Sequence, residues 1–210
     1  MKNKKTDIAK IFDEHAKSYA DQYFNVEYYG DALEAFYANT KANGQFLDLA
    51  CGPGNLTSHL LRRFPKAKVL GTDIANEMLE IAAKENPKAT FKNLACADLV
   101  SLNQKFDGIL CGFVLPYLNK DEVSKLILDC YNRLKKDGAF YLSGNLGSYS
   151  DSELQGASTG KGPKLYSFYY SKEFVEKKLE NTGFKILFSE SEKRNYDGFE
   201  ALEINLVVKK

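Results

Sequence analysis

The chain has almost no excess charge: 29 basic residues meet 28 acidic ones, for a formal net charge of +1. A polyanion is gripped by a basic face, so nucleic acid is not an expected partner. No apolar run is long enough to cross a bilayer, and no membrane partner is expected. The opening Met1-Lys2-Asn3-Lys4-Lys5 carries charge with no apolar stretch behind it, unlike a signal peptide. Cysteine is sparse. Cys51, Cys96, Cys111 and Cys130 show no Cys-x-x-Cys spacing and read as reduced, small apolar side chains of a cytoplasmic protein. Histidine is sparser still, with only His15 and His59, and no metal-ligand spacing exists, so no metal is expected. Repeats, linkers and breaks in composition are also missing. The 210 residues are therefore expected to form one domain, residues 1–210, with a sizeable core.

What is present is concentrated in residues 45–57, QFLDLACGPGNLT. An apolar run feeds into Gly52-Pro53-Gly54, and a helical pattern follows through Leu56, Leu60, Leu61 and Phe64 to Pro65. This is strand, tight glycine turn and helix. Glycines let the backbone bend and a ligand approach, and the first N–H groups of the helix point at that ligand. The third glycine of a dinucleotide turn is absent, because Thr57 stands in its place. Asp48, inside the strand, would repel a pyrophosphate and suit an ammonium group. Asp73 ends the next apolar run, where an acid accepts hydrogen bonds from ribose hydroxyls. The pattern asks for a ligand with a ribose and a cationic centre and no phosphate.

The rest of the chain alternates strand and helix, which implies a doubly wound α/β sheet. Amphipathic helices are expected at 7–23 and 26–40, then strands at 69–73, 90–97 and 106–114. The third of these is apolar throughout, as in a parallel strand buried on both faces. Helices are expected at 75–86 and from Asn119, capped with Glu122, to Lys135-Lys136 with Gly138 as the left-handed cap. A strand at 139–146 precedes the Gly- and Ser-rich segment 147–163, which reads as a lid or as disorder. A short extra strand at 165–170, a helix capped by Ser171, and a hairpin of strands 185–191 and 199–208 complete the chain. Tyr166, Tyr169 and Tyr170 either line a pocket or pack beneath the loop.

Asp48-Leu49-Ala50-Cys51-Gly52-Pro53-Gly54 resembles the first motif of the class I S-adenosylmethionine-dependent methyltransferases. Gly71-Thr72-Asp73-Ile74, with Glu77-Met78-Leu79, resembles their second. Ala97-Asp98-Leu99, Phe106-Asp107-Gly108-Ile109 and Leu134-Lys135-Lys136-Asp137-Gly138 continue the resemblance over roughly residues 45–145. It implies a Rossmann-like seven-stranded sheet of order 3-2-1-4-5-7-6, strand 7 antiparallel, with helices on both faces. It also implies an N-terminal helical lid (1–42) and a cap after strand 5 (147–170). The implied cofactor is S-adenosyl-L-methionine, leaving S-adenosyl-L-homocysteine, and the implied acceptor is a small molecule methylated at O, C or a nucleophilic N. Gly52 and Gly54 would hold the methionine part, Asp48 its ammonium and Asp73 the ribose diol. Asp98 and Met78 would hold the adenine beside the Ala97 and Leu99 backbone. Tyr19 would lie over the cofactor, and Ala50, Asn55, Ile74 and Gly112 complete the implied cofactor contacts.

Each role has a plainer counterpart: Tyr19 and Met78 as core side chains, Asp98 as a cap or turn residue. Residues 112–117 lack the Asn/Asp-Pro-Pro-aromatic motif of enzymes acting on amide or base amino groups, which argues against an exocyclic amine acceptor. His15, Tyr19 and Tyr117 are candidate bases by position alone, and no catalytic residue is named. A monomer or homodimer is expected. Two alternatives remain open, a non-catalytic cofactor-binding regulator and an NAD-dependent oxidoreductase, the latter opposed by Asp48 and the absent third glycine.

Overall fold

In the computed structural model, which describes residues 5–155, 164–196 and 199–210, two helices precede the first strand. These are α1 (Lys5–Tyr23) and α2 (Gly30–Ala38), and then come β1 (Gln45–Leu49), α3 (Asn55–Arg63), β2 (Lys68–Asp73) and α4 (Asn76–Glu85). The middle of the chain is β3 (Thr90–Asn93), β4 (Phe106–Cys111), α5 (Lys120–Arg133) and β5 (Leu134–Asn145). The last part is β6 (Glu153–Gln155), β7 (Leu165–Ser167), α6 (Lys172–Thr182), β8 (Lys185–Tyr196) and β9 (Phe199–Lys209).

Seven strands form one sheet in the order β3-β2-β1-β4-β5-β9-β8, with β9 antiparallel to both neighbours. This is the order expected from the sequence, since β6 and β7 pair only with each other and stand outside the main sheet. Alternation along the strands feeds two cores. Ile109, Cys111, Phe140, Leu142, Ile204 and Leu206 face α5 and α6, where Val123, Leu126, Ile127, Val175 and Leu179 pack. Leu110, Tyr141 and Val207 face the other way, onto α2 and α3, where Leu33, Phe36, Leu56 and Leu60 pack. All six residues of β4 are buried, as a central parallel strand requires.

Local signals explain most boundaries. Asn119 accepts from the N–H groups of Asp121 and Glu122 while Glu122 accepts from Asn119 N–H, a reciprocal cap that starts α5. The Ser171 hydroxyl accepts from Phe174 N–H and starts α6. α3 stops short of Pro65 and α4 short of Pro87.

Several expectations are corrected. The third sheet strand ends at Asn93 and not at 97, because Cys96–Ser101 winds into a 3-10 helix. α5 ends at Arg133, with Leu134 already extended, and the backbone of positive φ is at Asp137 (φ 63°) and not at Gly138. Lys135 stands in β5 and not at the end of the helix. Its ammonium donates to Asp107 Oδ2 over 2.7 Å, and Gln45 N–H donates to the same oxygen over 2.8 Å. Burial pushes the Asp107 carboxyl up, but these two partners outweigh it and hold the group below its usual range. α2 is built into the core beneath the sheet, so within residues 1–42 only α1 stands over the strand ends. The 147–163 segment begins with a 3-10 turn at Tyr149–Asp151 and then β6, and its remainder at 156–163 lies outside the described residues. So does part of the hairpin turn expected at 195–198, although Tyr196 pairs with Phe199 across it.

Candidate cofactor crevice

A crevice of about 1110 Å³, including space open to solvent, runs across the C-terminal ends of β1, β2 and β4 beneath α1. Ligands bind at this edge in open α/β sheets, where the strand order reverses. It is lined by Ala50, Gly52, Asp73 and Gly112 at the strand ends, and by Ile74, Met78, Ala97 and Leu126. Phe12, Tyr19 and Tyr117 form the roof, and Phe12 meets Tyr19 and Tyr117 edge-on at 5.8 and 5.4 Å. A smaller chamber of about 420 Å³ continues inward past Gly52, lined by Asp48, Asn55, Tyr29, Phe113, Tyr141 and Ser143.

The turn after β1 is built from left-handed residues: Ala50 (φ 55°), Gly52 (φ 52°) and Gly54 (φ 80°). The two glycines do different work. A Cβ on Gly52 would meet nothing within 4 Å, so this residue faces the crevice. A Cβ on Gly54 would stand 2.7 Å from Asn86 Nδ2 and 3.0 Å from Ala82 Cβ. Gly54 therefore serves the packing of α3 on α4 and does not line the crevice.

Asp73 is fixed by backbone donors. Gly52 N–H reaches Oδ2 over 2.9 Å, and Ile74 and Ala75 N–H reach Oδ1 over 2.7 and 3.0 Å. Burial pushes this carboxyl up and the three N–H groups pull it back down. A carboxylate oxygen accepts more than one hydrogen bond, so capacity remains toward the crevice. Asp48 is fully buried. The Thr57 hydroxyl donates to its Oδ2 over 2.6 Å, and Oδ1 has no partner. Burial pushes this carboxyl up to about 7, against the opposing pull of Thr57. An orphaned buried acceptor beside Gly52 is what a ligand ammonium, or a water bridging to one, would satisfy.

Other expected residues fall elsewhere. Asp98 sits exposed in the first turn of the 3-10 helix and does not line the crevice. Leu99 is fully buried in the main core, so of this trio only Ala97 lines the crevice. The 3-10 winding that shortens β3 rotates both away. Asn55 lines the inner chamber, but its Nδ2 donates to Tyr23 O over 3.0 Å and ties the end of α1 to the glycine turn. His15 does not line the crevice. Tyr19 and Tyr117 do, but burial pushes both phenols up, Tyr117 to about 12, so neither is a ready base near neutrality. His59 stacks on Tyr37 and shares a 2.7 Å hydrogen bond with its hydroxyl, away from the crevice. Its pKa is lowered by burial.

Among the lining residues that sequence reasoning did not assign to the cofactor are Phe113, Lys125 and Tyr29. Phe113 has a left-handed backbone (φ 55°) and enters both spaces. Lys125 lines the outer end while its ammonium bonds Ala97 O at 3.0 Å and contacts Asp129. Tyr29 closes the inner chamber. Lys125 was legible only as a polar position on α5, Tyr29 only as one of the apolar-face aromatics of helix 26–40, and Phe113 only as part of the apolar run 106–114.

The four cysteines are free thiols, and burial pushes those of Cys51, Cys111 and Cys130 well up. Among the described residues no cluster of metal-ligating side chains exists, and no helix is long and apolar enough to cross a membrane.

Residues 46–138 match a family model described as a methyltransferase domain. With the sheet order, this match supports a class I S-adenosylmethionine-dependent methyltransferase fold. Malonyl-[acyl-carrier protein] O-methyltransferase of Acetivibrio thermocellus is 32% identical over 149 residues, 68% of this chain and 50% of that one. The chain thus spans about half the length of that relative. Among solved structures, an S-adenosylmethionine-dependent methyltransferase from Clostridium acetobutylicum superposes with a TM-score of 0.71 at 21% identity, covering 95% of this chain and 98% of that one. The magnesium protoporphyrin IX methyltransferase of Synechocystis PCC 6803 with bound SAH gives 0.72 at 20% identity, covering 98% and 99%. At these identities the structures show the shared fold.

Proposed function

We propose that the protein is an enzyme that transfers a methyl group from S-adenosylmethionine to a small-molecule acceptor. The observation that carries this is a pair of carboxylates flanking an open glycine, Asp48 buried and Asp73 half-buried. Asp48 Oδ1 has no partner, Asp73 keeps acceptor capacity, and no side chain stands over Gly52. That donor-poor, acceptor-rich set fits a ligand bearing an ammonium and a ribose diol, and it opposes a pyrophosphate.

In this reading Asp48 attracts the ammonium and Gly52 lets the methionine part approach the backbone, with Asn55 beside it. Asp73 accepts from the ribose hydroxyls, and the adenine lies between Met78 and Ile74 on one side and Ala97 on the other. Ala50 and Gly112 floor the site and Tyr19 covers it, with α1 as the lid. Asp98, Leu99 and Gly54 are left out because they do not line the space. When bound, the cofactor supplies an electrophilic methyl group and its own leaving group. The protein's part is to align the acceptor and exclude water beneath the aromatic roof.

Incubating the protein with methyl-labelled S-adenosylmethionine and a small-metabolite extract tests this. Label on a small organic product is expected. Cofactor binding with no labelled product from any extract would favour a non-catalytic binding protein.

A further inference from the structure

The last hairpin carries a buried acid that the cofactor crevice does not use. Glu203 of β9 is 1% exposed and lies in register with Asn145, at the C-terminal end of β5. Three side chains converge on its carboxylate. The Tyr196 hydroxyl donates to Oε1, the Tyr29 hydroxyl donates to Oε2 over 3.4 Å, and Arg194 Nε lies 3.2 Å from Oε2. Arg194 makes further contacts, although its buried Nε has no hydrogen-bond partner. It donates to Tyr28 O over 2.8 Å, pairs with Glu192 at 2.9 Å, and covers the Tyr28 and Tyr29 rings at 5.2 and 5.0 Å. A buried charge is costly unless paired, and apolar packing would fill the same place at less cost.

This network reaches the ligand space through Tyr29, which lines the inner chamber with Gly52, Gly112 and Phe113. Of the lining rings, Tyr29 meets Phe113 at 5.9 Å, and Tyr19 meets Tyr23, which does not line the space, at 4.7 Å. Asn145 Oδ1, beside Glu203 in register, is buried with no donor.

We propose that the methyl acceptor is an aromatic alcohol held among the rings of this chamber, and that Tyr29 relays its hydroxyl proton to Glu203. The proposal rests on the methyltransferase reading above and adds the acceptor class. A space lined by the rings of Tyr19, Tyr29, Phe113 and Tyr141 favours an aromatic ligand. Arg194 is shared between Glu203 and Glu192, so the network offers no spare cation for a carboxylate. A carboxylate acceptor would also have no proton to give up. As the acceptor oxygen takes the methyl group, its O–H bond breaks and the C–S electron pair stays on sulfur. The proton passes to the Tyr29 oxygen while the proton of Tyr29 passes to Glu203, which later releases it to water. The groups facing Glu203 are Glu192, Arg194 and Tyr196 from β8, Tyr28 and Tyr29 from the turn before α2, and Tyr141 and Asn145 from β5. Burial pushes the Glu203 carboxyl up against the pull of Tyr196, Arg194 and Tyr29, toward the range of a working base.

The test uses the full chain with S-adenosylmethionine and two groups of probes: 1-naphthol and 8-hydroxyquinoline, against benzoate and trans-aconitate. Methylation of the phenols is expected, with kcat falling at acid pH. Glu203→Gln and Tyr29→Phe are each expected to lower kcat by roughly 10²-fold, the lower end for a lost general base. The acid limb should vanish in Glu203→Gln. Calorimetry of 1-naphthol binding to the S-adenosylhomocysteine complex should give an affinity within about threefold of wild type for Glu203→Gln, separating proton transfer from packing. Tyr29→Phe keeps the Glu203–Arg194 pair and so guards against a folding defect in the first variant. Methylation of the carboxylates alone, or phenol turnover at wild-type rate in both variants, would overturn the proposal. Failure of the wild type to bind S-adenosylhomocysteine would overturn the underlying reading, and the same calorimetry detects it separately.

Discussion

The Thr57 hydroxyl donates to Asp48 Oδ2 over 2.6 Å, inside the turn where a dinucleotide-binding chain would carry its third glycine. One residue thus excludes one ligand and prepares the site for another. It blocks close helix–strand approach for a pyrophosphate and steadies a buried carboxylate for a cation. Thr57→Val keeps the side chain's shape and removes the donor. The expected cost to folding at pH 8 is about 1.5–3 kcal/mol, the range for a hydrogen bond to a charged group. Urea unfolding measures it, and an unchanged midpoint would remove Thr57 from this role.

The raised Asp48 carboxyl, at about 7, gives cofactor binding a pH dependence of known sign. An ammonium prefers the ionised form, so S-adenosylhomocysteine affinity should rise with pH through 7 and level off above it. The steepest change is about tenfold per pH unit. Stability without ligand should move the opposite way. The folded state holds this proton above the unfolded carboxyl's range, so the contribution of Asp48 is full at low pH and is lost as pH rises through 7. Wild type should therefore lose stability relative to Asp48→Asn between pH 4 and 8. Titrations of both proteins at pH 6, 7 and 8 decide it, and parallel curves would contradict the assignment.

Gly52 and Gly54 should separate cleanly on substitution. Gly54→Ala forces a Cβ against Asn86 and Ala82 at φ +80°, and should lower the melting temperature sharply. Gly52→Ala meets open space and carries only the left-handed backbone cost of about 1–2 kcal/mol. Its methyl group would enter the crevice, so cofactor affinity should fall by more than stability does. Equal losses of affinity in two equally stable variants would sink the distinction.

Asp73→Ala removes the acceptor for three backbone N–H groups as well as the expected ribose contact. Cofactor binding should weaken by roughly 1–3 kcal/mol, the scale of a lost buried partner. A dissociation constant identical to wild type would take Asp73 out of the ribose role.

Periodicity and turn chemistry made the α/β alternation and the caps at Asn119 and Ser171 legible, because each is a local signal with a local cause, whereas the sheet order came from the family resemblance. Asp98 was misplaced because the apolar run through residue 97 looks the same whether it continues as strand or winds into a 3-10 turn. Gly54 was misread because its partner Ala82 is distant in sequence. The Tyr29–Tyr196–Glu203 network joins residues from opposite ends of the chain, and no spacing rule reaches that far.

Calorimetric titration of the wild-type protein with S-adenosylhomocysteine and, separately, with NAD tests the central claim most directly. The crevice as described predicts one saturable site for S-adenosylhomocysteine and no heat of binding for NAD. Saturable NAD binding without S-adenosylhomocysteine binding would contradict it.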